Sequence, residues 1–223
     1  MLSIIIPTLN ADTTLQATLD SCMAGAASPR VVVSDGGSND DTLSIAKQNK
    51  CTVVSAECGR GTQLAAGAAM AQDDWLLFLH ADSRLPDNWS TVVSEFVDEP
   101  LNMFRAAVFQ LALDDTLAQA RHIEWFVKWR TRLLALPYGD QGLLISRAYH
   151  DCIGGYRPIP IMEDVDLVRR IRRPNLQVLD AAITTSAHKY QRDGYWKRPL
   201  KNLGLMCLYG LGVPESKLSE FYQ

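Results

Sequence analysis

Apolar residues gather in short runs, separated by segments with helical spacing. Leu2 to Ile6, Val31 to Val33, Val53-Val54 and Trp75 to Leu79 are rich in β-branched and aromatic residues and read as strands buried on both faces. Between them, Leu15, Leu19 and Cys22 recur at helical spacing across Thr13 to Cys22, behind the cap candidates Asn10 and Asp12. Asp40-Asp41 suit the positive end of a second helix, and a third is predicted over Thr62 to Ala71. Strands alternating with helices require crossover connections and a parallel sheet. After the turn signal Pro86 to Asn88, Trp89 to Val97 predicts another helix.

The second half has a different rhythm. Phe104 to Leu113 predicts a longer strand and Leu117 to Leu136 a long helix carrying aromatic residues. Gly139-Asp140-Gln141 introduces the apolar run Gly142 to Ser146, and a loop with Gly154, Gly155, Pro158 and Pro160 leads into helical spacing from Glu163 to Ile171. No internal repeat, low-complexity stretch or clean linker interrupts the chain. The expected architecture is a single α/β domain with a mostly parallel central sheet flanked by helices, followed by a C-terminal helical extension.

Composition narrows the class. With 223 residues, 47% hydrophobic and 21% charged, the chain can bury a core without disulfides and is not expected to be disordered. A formal net charge of -3 with mixed signs makes nucleic acid an unexpected partner. Cys22, Cys51, Cys58, Cys152 and Cys207 are scattered without a CxxC pair, which argues against a disulfide framework or zinc site and fits a reducing compartment. No basic segment precedes Leu2 to Ile6 and no window reaches the ~18 apolar residues of a membrane span, so a soluble cytoplasmic protein is expected.

In parallel sheets, ligands bind beyond the carboxyl ends of the strands. Small and polar residues collect at each of these ends: Pro7-Thr8-Leu9-Asn10, Ser34-Asp35-Gly36-Gly37-Ser38, Gly59-Arg60-Gly61 and His80-Ala81-Asp82-Ser83. Turn chemistry alone explains Gly36, Gly37 and Ser38, but it leaves unexplained the acids at two strand ends and a glycine-flanked arginine. His80 and Asp82, two apart, point to one side and could hold a divalent cation, Mg²⁺ or Mn²⁺, on a diphosphate; an ordinary cap and turn is the other reading. A dinucleotide fingerprint at Gly59-Arg60-Gly61 is rejected, because Leu64 replaces the third glycine and the motif belongs after the first strand. Walker A, GxSxG and HExxH motifs are missing. Glu163, Asp164 and Asp166 head a helix, where carboxylates ordinarily just match the helix dipole.

The stretches SIIIPTLNA, VVVSDGGSNDDT, LLFLHADS, GDQ and MEDVDL, in that order and spacing, resemble the family-2 glycosyltransferases, inverting enzymes with an A-type nucleotide-diphospho-sugar transferase fold. HADS and the C-terminal LGVPESKLSEFY resemble the radical-SAM/selenodomain-associated subgroup, linked to arsenosugar biosynthesis. The resemblance implies transfer of a sugar from a nucleoside diphosphate, commonly UDP, to the hydroxyl of an acceptor the sequence does not identify. It places Pro7, Thr8 and Asn10 in the nucleoside pocket, Asp35 on the base, and Arg60 and Gln63 on the base or phosphate side. Asp82 would ligate a metal bridging the diphosphate, with His188 as a third ligand. Asp164 would be the general base with Glu163 in support, and Asp140 and Gln141 would lie near the sugar or acceptor. His80 departs from the family by replacing the first acid of DxD, a residue that often faces ribose.

Residues 1–190 would then form the catalytic domain, with 1–100 as donor half and 101–190 as acceptor half, and 191–223 the extension. That extension either packs on the domain or lies on the inner membrane surface through Tyr195, Trp196, Leu200, Leu203 and Leu205, with Lys197, Arg198 and Lys201 at headgroups. Two other function classes remain: a catalytically silent nucleotide-sugar-binding protein, motivated by His80, and a nucleotidyltransferase, disfavoured because its glycine-rich first loop is missing.

Overall fold

A computed structural model describes residues 1–223 apart from 26, 27, 216 and 219–223. Strand β1 (Leu2–Thr8) holds Ile4, Ile5 and Ile6 entirely away from solvent. Successive strand side chains face opposite ways, so Ile4 and Ile6 enter one apolar layer and Ile5 the other. Burial on both sides is why this segment shows no polar alternation. Each such side chain contributes about 1.5–3 kcal/mol relative to exposure.

Helix α1 (Asp12–Met23) lays Leu15, Leu19 and Cys22 on the first layer. Its start corrects the expected capping: the N-cap is Ala11, and no side chain caps it. Asn10 instead adopts a left-handed backbone (φ 50°), and its Oδ1 accepts the Asn39 N–H at 2.9 Å. The polar group ties two strand-end loops together. There follow β2 (Arg30–Asp35), α2 (Thr42–Gln48), β3 (Thr52–Ser55), α3 (Arg60–Met70) and β4 (Trp75–Phe78). The four strands pair in parallel, in the order β3-β2-β1-β4.

The remaining elements are β5 (Ser83–Arg84), α4 (Trp89–Val97), β6 (Ala106–Leu113), α5 (Ala118–Leu134), β7 (Leu143–Ser146), α6 (Arg147–Cys152), α7 (Glu163–Ile171), β8 (Leu176–Thr185), α8 (His188–Asp193) and α9 (Lys197–Gly210). Strand β8 was not foreseen, and Phe104, expected to begin the long strand, instead closes a 3₁₀ turn, Pro100–Phe104, ahead of β6. Among the described residues, eight strands make one sheet, β3-β2-β1-β4-β7-β6-β8-β5. Strand β7 runs antiparallel between β4 and β6, while β6 and β8 are parallel.

That antiparallel insertion matters for the site. Because β7 is reversed, its beginning lies at the edge where β1, β2, β4 and β8 end, so the Gly139–Gln141 turn joins their terminal loops. Helices α1 and α4 cover one face of the sheet, and α3 and α7 the other. Leu205 of α9 and Leu218 pack on Ile161, Met162 and Val165. The segment bearing the subgroup resemblance lies partly outside the described residues, at Ser216, Ser219, Glu220, Phe221 and Tyr222, as do the side chains of Lys197 and Arg198. Among the described residues no helix is long and apolar enough to cross a membrane.

Candidate active site

A cleft of about 910 Å³ opens along the strand-end edge. Pro7, Thr8 and Asn10 line it from the end of β1, Arg60 and Gln63 from α3, and His80 and Asp82 from the segment after β4. Asp140, Glu163, Asp164 and His188 complete it from the second half of the chain. Of the residues to which the resemblance gives a site role, Asp35 and Gln141 are set back from this lining.

Asp35 is 2% exposed and already bonded on both oxygens. Oδ1 accepts Thr8 Oγ1 at 2.9 Å and Ser38 Oγ at 2.5 Å; Oδ2 accepts the Gly37 and Ser38 N–H groups at 2.9 and 2.8 Å. Burial alone would raise its pKa, but the bonds from Ser38, Thr8 and Gly37 outweigh it and hold the carboxyl below its usual value. Four accepted bonds use about all the lone-pair sites a carboxylate has. Gln63 is a similar tie: its Nε2 donates to Thr8 O at 2.6 Å and Ser34 O at 3.0 Å, pinning α3 to the ends of β1 and β2. Both residues shape the floor of the cleft.

The opposite wall gathers several carboxylates beside Arg60 and Arg130. Glu163 is 3% exposed, and its Oε1 lies 3.3 Å from Arg60 Nη1 without the alignment of a hydrogen bond. Burial lifts its pKa to about 7, with Arg60 opposing the rise and Asp164 adding to it. Asp140 Oδ1 is sealed from solvent and has no hydrogen-bond partner. Burial raises this carboxyl too; the nearby Arg130 opposes, and Asp164 and Asp82 reinforce. Asp164 is held on both oxygens by backbone donors, Gly139 N–H at 2.9 Å and Val165 N–H at 2.7 Å. Carboxylates from three separate segments, at Asp82, Asp140 and Glu163-Asp164, are therefore brought together in the cleft lining.

Two glycines let these segments approach. A Cβ at Gly61 would sit 2.7 Å from Ile159 O and closer still to Arg157 O, so only glycine lets the start of α3 meet the loop before α7. A Cβ at Gly139 would sit 2.5 Å from His80 Nε2, so the turn bearing Asp140 rests directly on that imidazole. Gln141 is 1% exposed and faces away from the cleft: it accepts Thr131 Oγ1 at 2.9 Å and donates to Phe109 O at 3.0 Å, anchoring the turn to α5 and β6.

Tyr138, Thr185, Ser186, Tyr190 and Asn202 also line the cleft and were not anticipated. Tyr138 directly precedes the GDQ turn and stacks under Arg130, whose guanidinium carbon lies 3.6 Å from the ring centroid. Thr185 Oγ1 reaches Asp140 O at 3.2 Å. The β-branched run Ile183-Thr184-Thr185 ahead of His188 was the available signal for a strand ending at the site.

The family model Glycosyl transferase family 2 matches residues 3–159. A PGL/p-HBAD biosynthesis glycosyltransferase of Mycobacterium bovis (strain BCG / Pasteur 1173P2) is 39% identical over 93 residues, covering 38% of this chain and 36% of that protein. The match thus spans about a third of the curated relative's length. The crystal structure of S. aureus TarS 1-349 superposes with TM-score 0.68 at 16% identity, covering 99% of this chain and 68% of that one. The same TarS fragment in complex with UDP-GlcNAc matches at TM-score 0.65 and 18% identity, over 83% of this chain and 58% of that one. Glucosyl-3-phosphoglycerate synthase from Mycobacterium tuberculosis, in complex with Mn²⁺, UDP and glucosyl-3-phosphoglycerate, matches at TM-score 0.56 and 18% identity, over 83% and 70% of the two chains. At such identities the solved structures bear on the fold.

Proposed function

The chain belongs to glycosyl transferase family 2, and from that premise we propose that its cleft transfers a sugar from a UDP-linked donor to an acceptor hydroxyl with inversion. The observation that carries this reading is the gathering of Asp140, Glu163 and Asp164 with Arg60 in one cleft lining opposite the strand-end loops, where Asp140 Oδ1 has no hydrogen-bond partner and Glu163 Oε1 has an ion pair with Arg60 without a hydrogen bond. Buried polar atoms are rarely left unsatisfied. A sugar's hydroxyls supply donors of the kind Asp140 Oδ1 lacks.

In this reading Pro7, Thr8 and Asn10 receive the nucleoside on the floor that Asp35 and Gln63 hold in shape. Arg60 offsets the charge growing on the leaving diphosphate, where fixed charge in a dry site is worth most. Glu163 keeps Arg60 in place, and His80 lies toward the ribose. Asp164 takes the acceptor proton: its two backbone bonds fix its orientation, and a single carboxylate opposite the leaving group suffices for inversion. Asp140 and the turn anchored by Gln141 border the sugar.

A divalent cation, Mn²⁺ or Mg²⁺, fits this donor set. Asp82 and His188 line the same cleft, and Asp82 and Asp164 both repel the charge of Asp140, a concentration of carboxylates that suits a cation alongside Arg60 and Arg130. Among the described residues no three-ligand cluster stands preformed, in keeping with a cation that takes most ligands from phosphate and water. When bound, it would neutralise the leaving diphosphate as a Lewis acid. The proposal extends to a donor half at 1–100, an acceptor half at 101–190 and an extension at 191–223. It also extends to a cytoplasmic enzyme of the radical-SAM/selenodomain-associated subgroup, on the strength of HADS and LGVPESKLSEFY.

Calorimetry with UDP and a panel of UDP-sugars, with Mn²⁺ and with chelator, tests the assignment. Binding of UDP with micromolar affinity and slow release of UDP from one sugar donor is expected. Failure of every nucleotide to bind would remove the reading, and binding without turnover under any acceptor would favour the silent binding protein.

A further inference from the structure

Helix α5 is amphipathic, and its outward face mixes large apolar residues with basic ones. Ile123, Val127 and Ala120 point into an apolar cluster, while Trp125, Phe126, Trp129 and Leu133 remain 45% to 62% exposed. Trp125 and Trp129, one turn apart, touch at a ring-centroid distance of 5.8 Å. The stripe continues beyond the helix: His122 stacks on Trp196 at 6.3 Å, at the threshold of α9, whose Leu200 is 66% exposed. Leu203 and Leu208 extend the same exposed side, whereas Leu205 is buried. Large apolar side chains left exposed together in this way mark an interaction site.

Charge identifies what it meets. On α5 the exposed basic residues are Arg121, Lys128 and Arg132 against one acid, and Lys201 is exposed on α9, in a chain whose formal net charge is -3. The one acid of α5, Glu124, is paired to Arg121 at 2.8 Å. Beside Trp125 a recess of about 290 Å³ is lined by Arg121, Lys128 and Arg132 together with Glu124, three cations against one carboxylate. Tryptophan beside lysine and arginine is the composition of a helix lying in a lipid interface, its rings at headgroup depth and its cations on acidic headgroups. A second copy of the chain would place like charges against each other and is disfavoured.

We propose that the aromatic stripe of α5 and the outer leucines of α9 together form a docking surface for an anionic lipid bilayer. This stands apart from the transferase reading, since neither the tryptophans nor the leucines enter the cleft. Asn202, on the inner side of α9, lines the cleft, so docking sets the cleft rim beside the bilayer.

Flotation of the full chain with vesicles tests it, comparing an equal mixture of phosphatidylcholine and phosphatidylglycerol with phosphatidylcholine alone. Binding roughly tenfold stronger to the anionic vesicles is expected, lost at high salt. Brominated lipids should quench the intrinsic tryptophan fluorescence, a readout that needs no variant. Trp125→Glu/Trp129→Glu and Lys128→Glu/Arg132→Glu alter exposed side chains, and each should reduce binding to the neutral-vesicle level with the melting temperature retained. Equal binding to both vesicle types, no binding to either, or unquenched fluorescence overturns the proposal. So does a concentration-dependent dimer that the tryptophan variant abolishes without any vesicle binding in the native chain.

Discussion

Asp164 Oδ2 accepts the backbone N–H of Gly139 at 2.9 Å across 25 residues of chain. This bond joins the start of α7 to the turn that carries Asp140, so the carboxylate assigned as base also sets the position of its neighbour across the cleft. Asp164→Asn preserves one acceptor oxygen for either Gly139 or Val165 but cannot serve both and cannot take a proton. Turnover should fall by roughly 10²–10⁴, the usual contribution of a positioned base, with UDP affinity retained. Glu163→Gln should weaken donor binding instead, by loosening Arg60. Single-turnover rates of the two variants decide which acid is the base, and native rates in both would end the assignment.

Glu163 also gives the fold a pH signature. In the folded chain its pKa is raised from 4.5 to about 7, chiefly by burial. Between those values the folded state binds more protons than the unfolded one, so stability falls as pH rises through the window. Burial holds His150 neutral by lowering its pKa, with Asp151 opposing, and that contribution runs the other way, lost as pH falls. Comparing wild type with Glu163→Gln cancels it. The melting temperature of the wild type should drop relative to the variant between about pH 5 and pH 8; parallel curves would refute the buried, proton-holding state.

Removing the proposed cation ligand should be visible in binding. Asp82→Ala should abolish the Mn²⁺-dependent part of UDP affinity. A charged contact worth about 1.5–3 kcal/mol corresponds to roughly a ten- to hundredfold weakening. His188→Ala should give a smaller loss of the same kind, and His80→Ala a loss that persists in chelator. Native affinity of the unmodified chain in chelator would sink this set.

Gly139→Ala tests the packing of the turn on His80. The added Cβ, 2.5 Å from Nε2, must push the ring or the turn aside. Overpacking of this kind costs about 1–3 kcal/mol, so the melting temperature should fall and UDP affinity with it. Calorimetry and thermal melts unchanged from wild type would show the contact to be inconsequential.

Much of this arrangement could be read from residue order. Ile4 to Ile6 and Val31 to Val33 declare themselves because burial on both faces leaves no polar positions, and the rule that ligands meet strand ends then selects Thr8, Arg60, Asp82 and their neighbours. What escaped was set by tertiary pairing. Strand β8 does alternate in the fold, with Leu179, Ala181, Ile183 and Thr185 buried and Asp180, Ala182 and Thr184 less so, but like residues at neighbouring positions, Ala181-Ala182 and Thr184-Thr185, hide that alternation in the sequence. Strand β5 has two residues, too few for any pattern. Gln141 and Asn10 illustrate the same limit on a smaller scale: a polar residue beside a site reads identically whether it faces ligand or ties down a loop. Their partners, Thr131, Phe109 and Asn39, are apparent only in the folded chain.

Ser83 pairs with Thr185, their hydroxyls 2.9 Å apart and 102 residues distant in the chain. During synthesis at roughly 5–20 residues per second, Thr185 leaves the ribosome about 5–20 s after Ser83. The segment holding His80 and Asp82 must wait that long for its partner strand. Over part of the same interval the apolar edge of β4, Trp75–Phe78, is uncovered until Leu143–Ser146 arrives to pair with it. An unpaired apolar strand edge is a template for misassociation, so the nascent chain is most exposed to aggregation while its first four strands are already competent to pair.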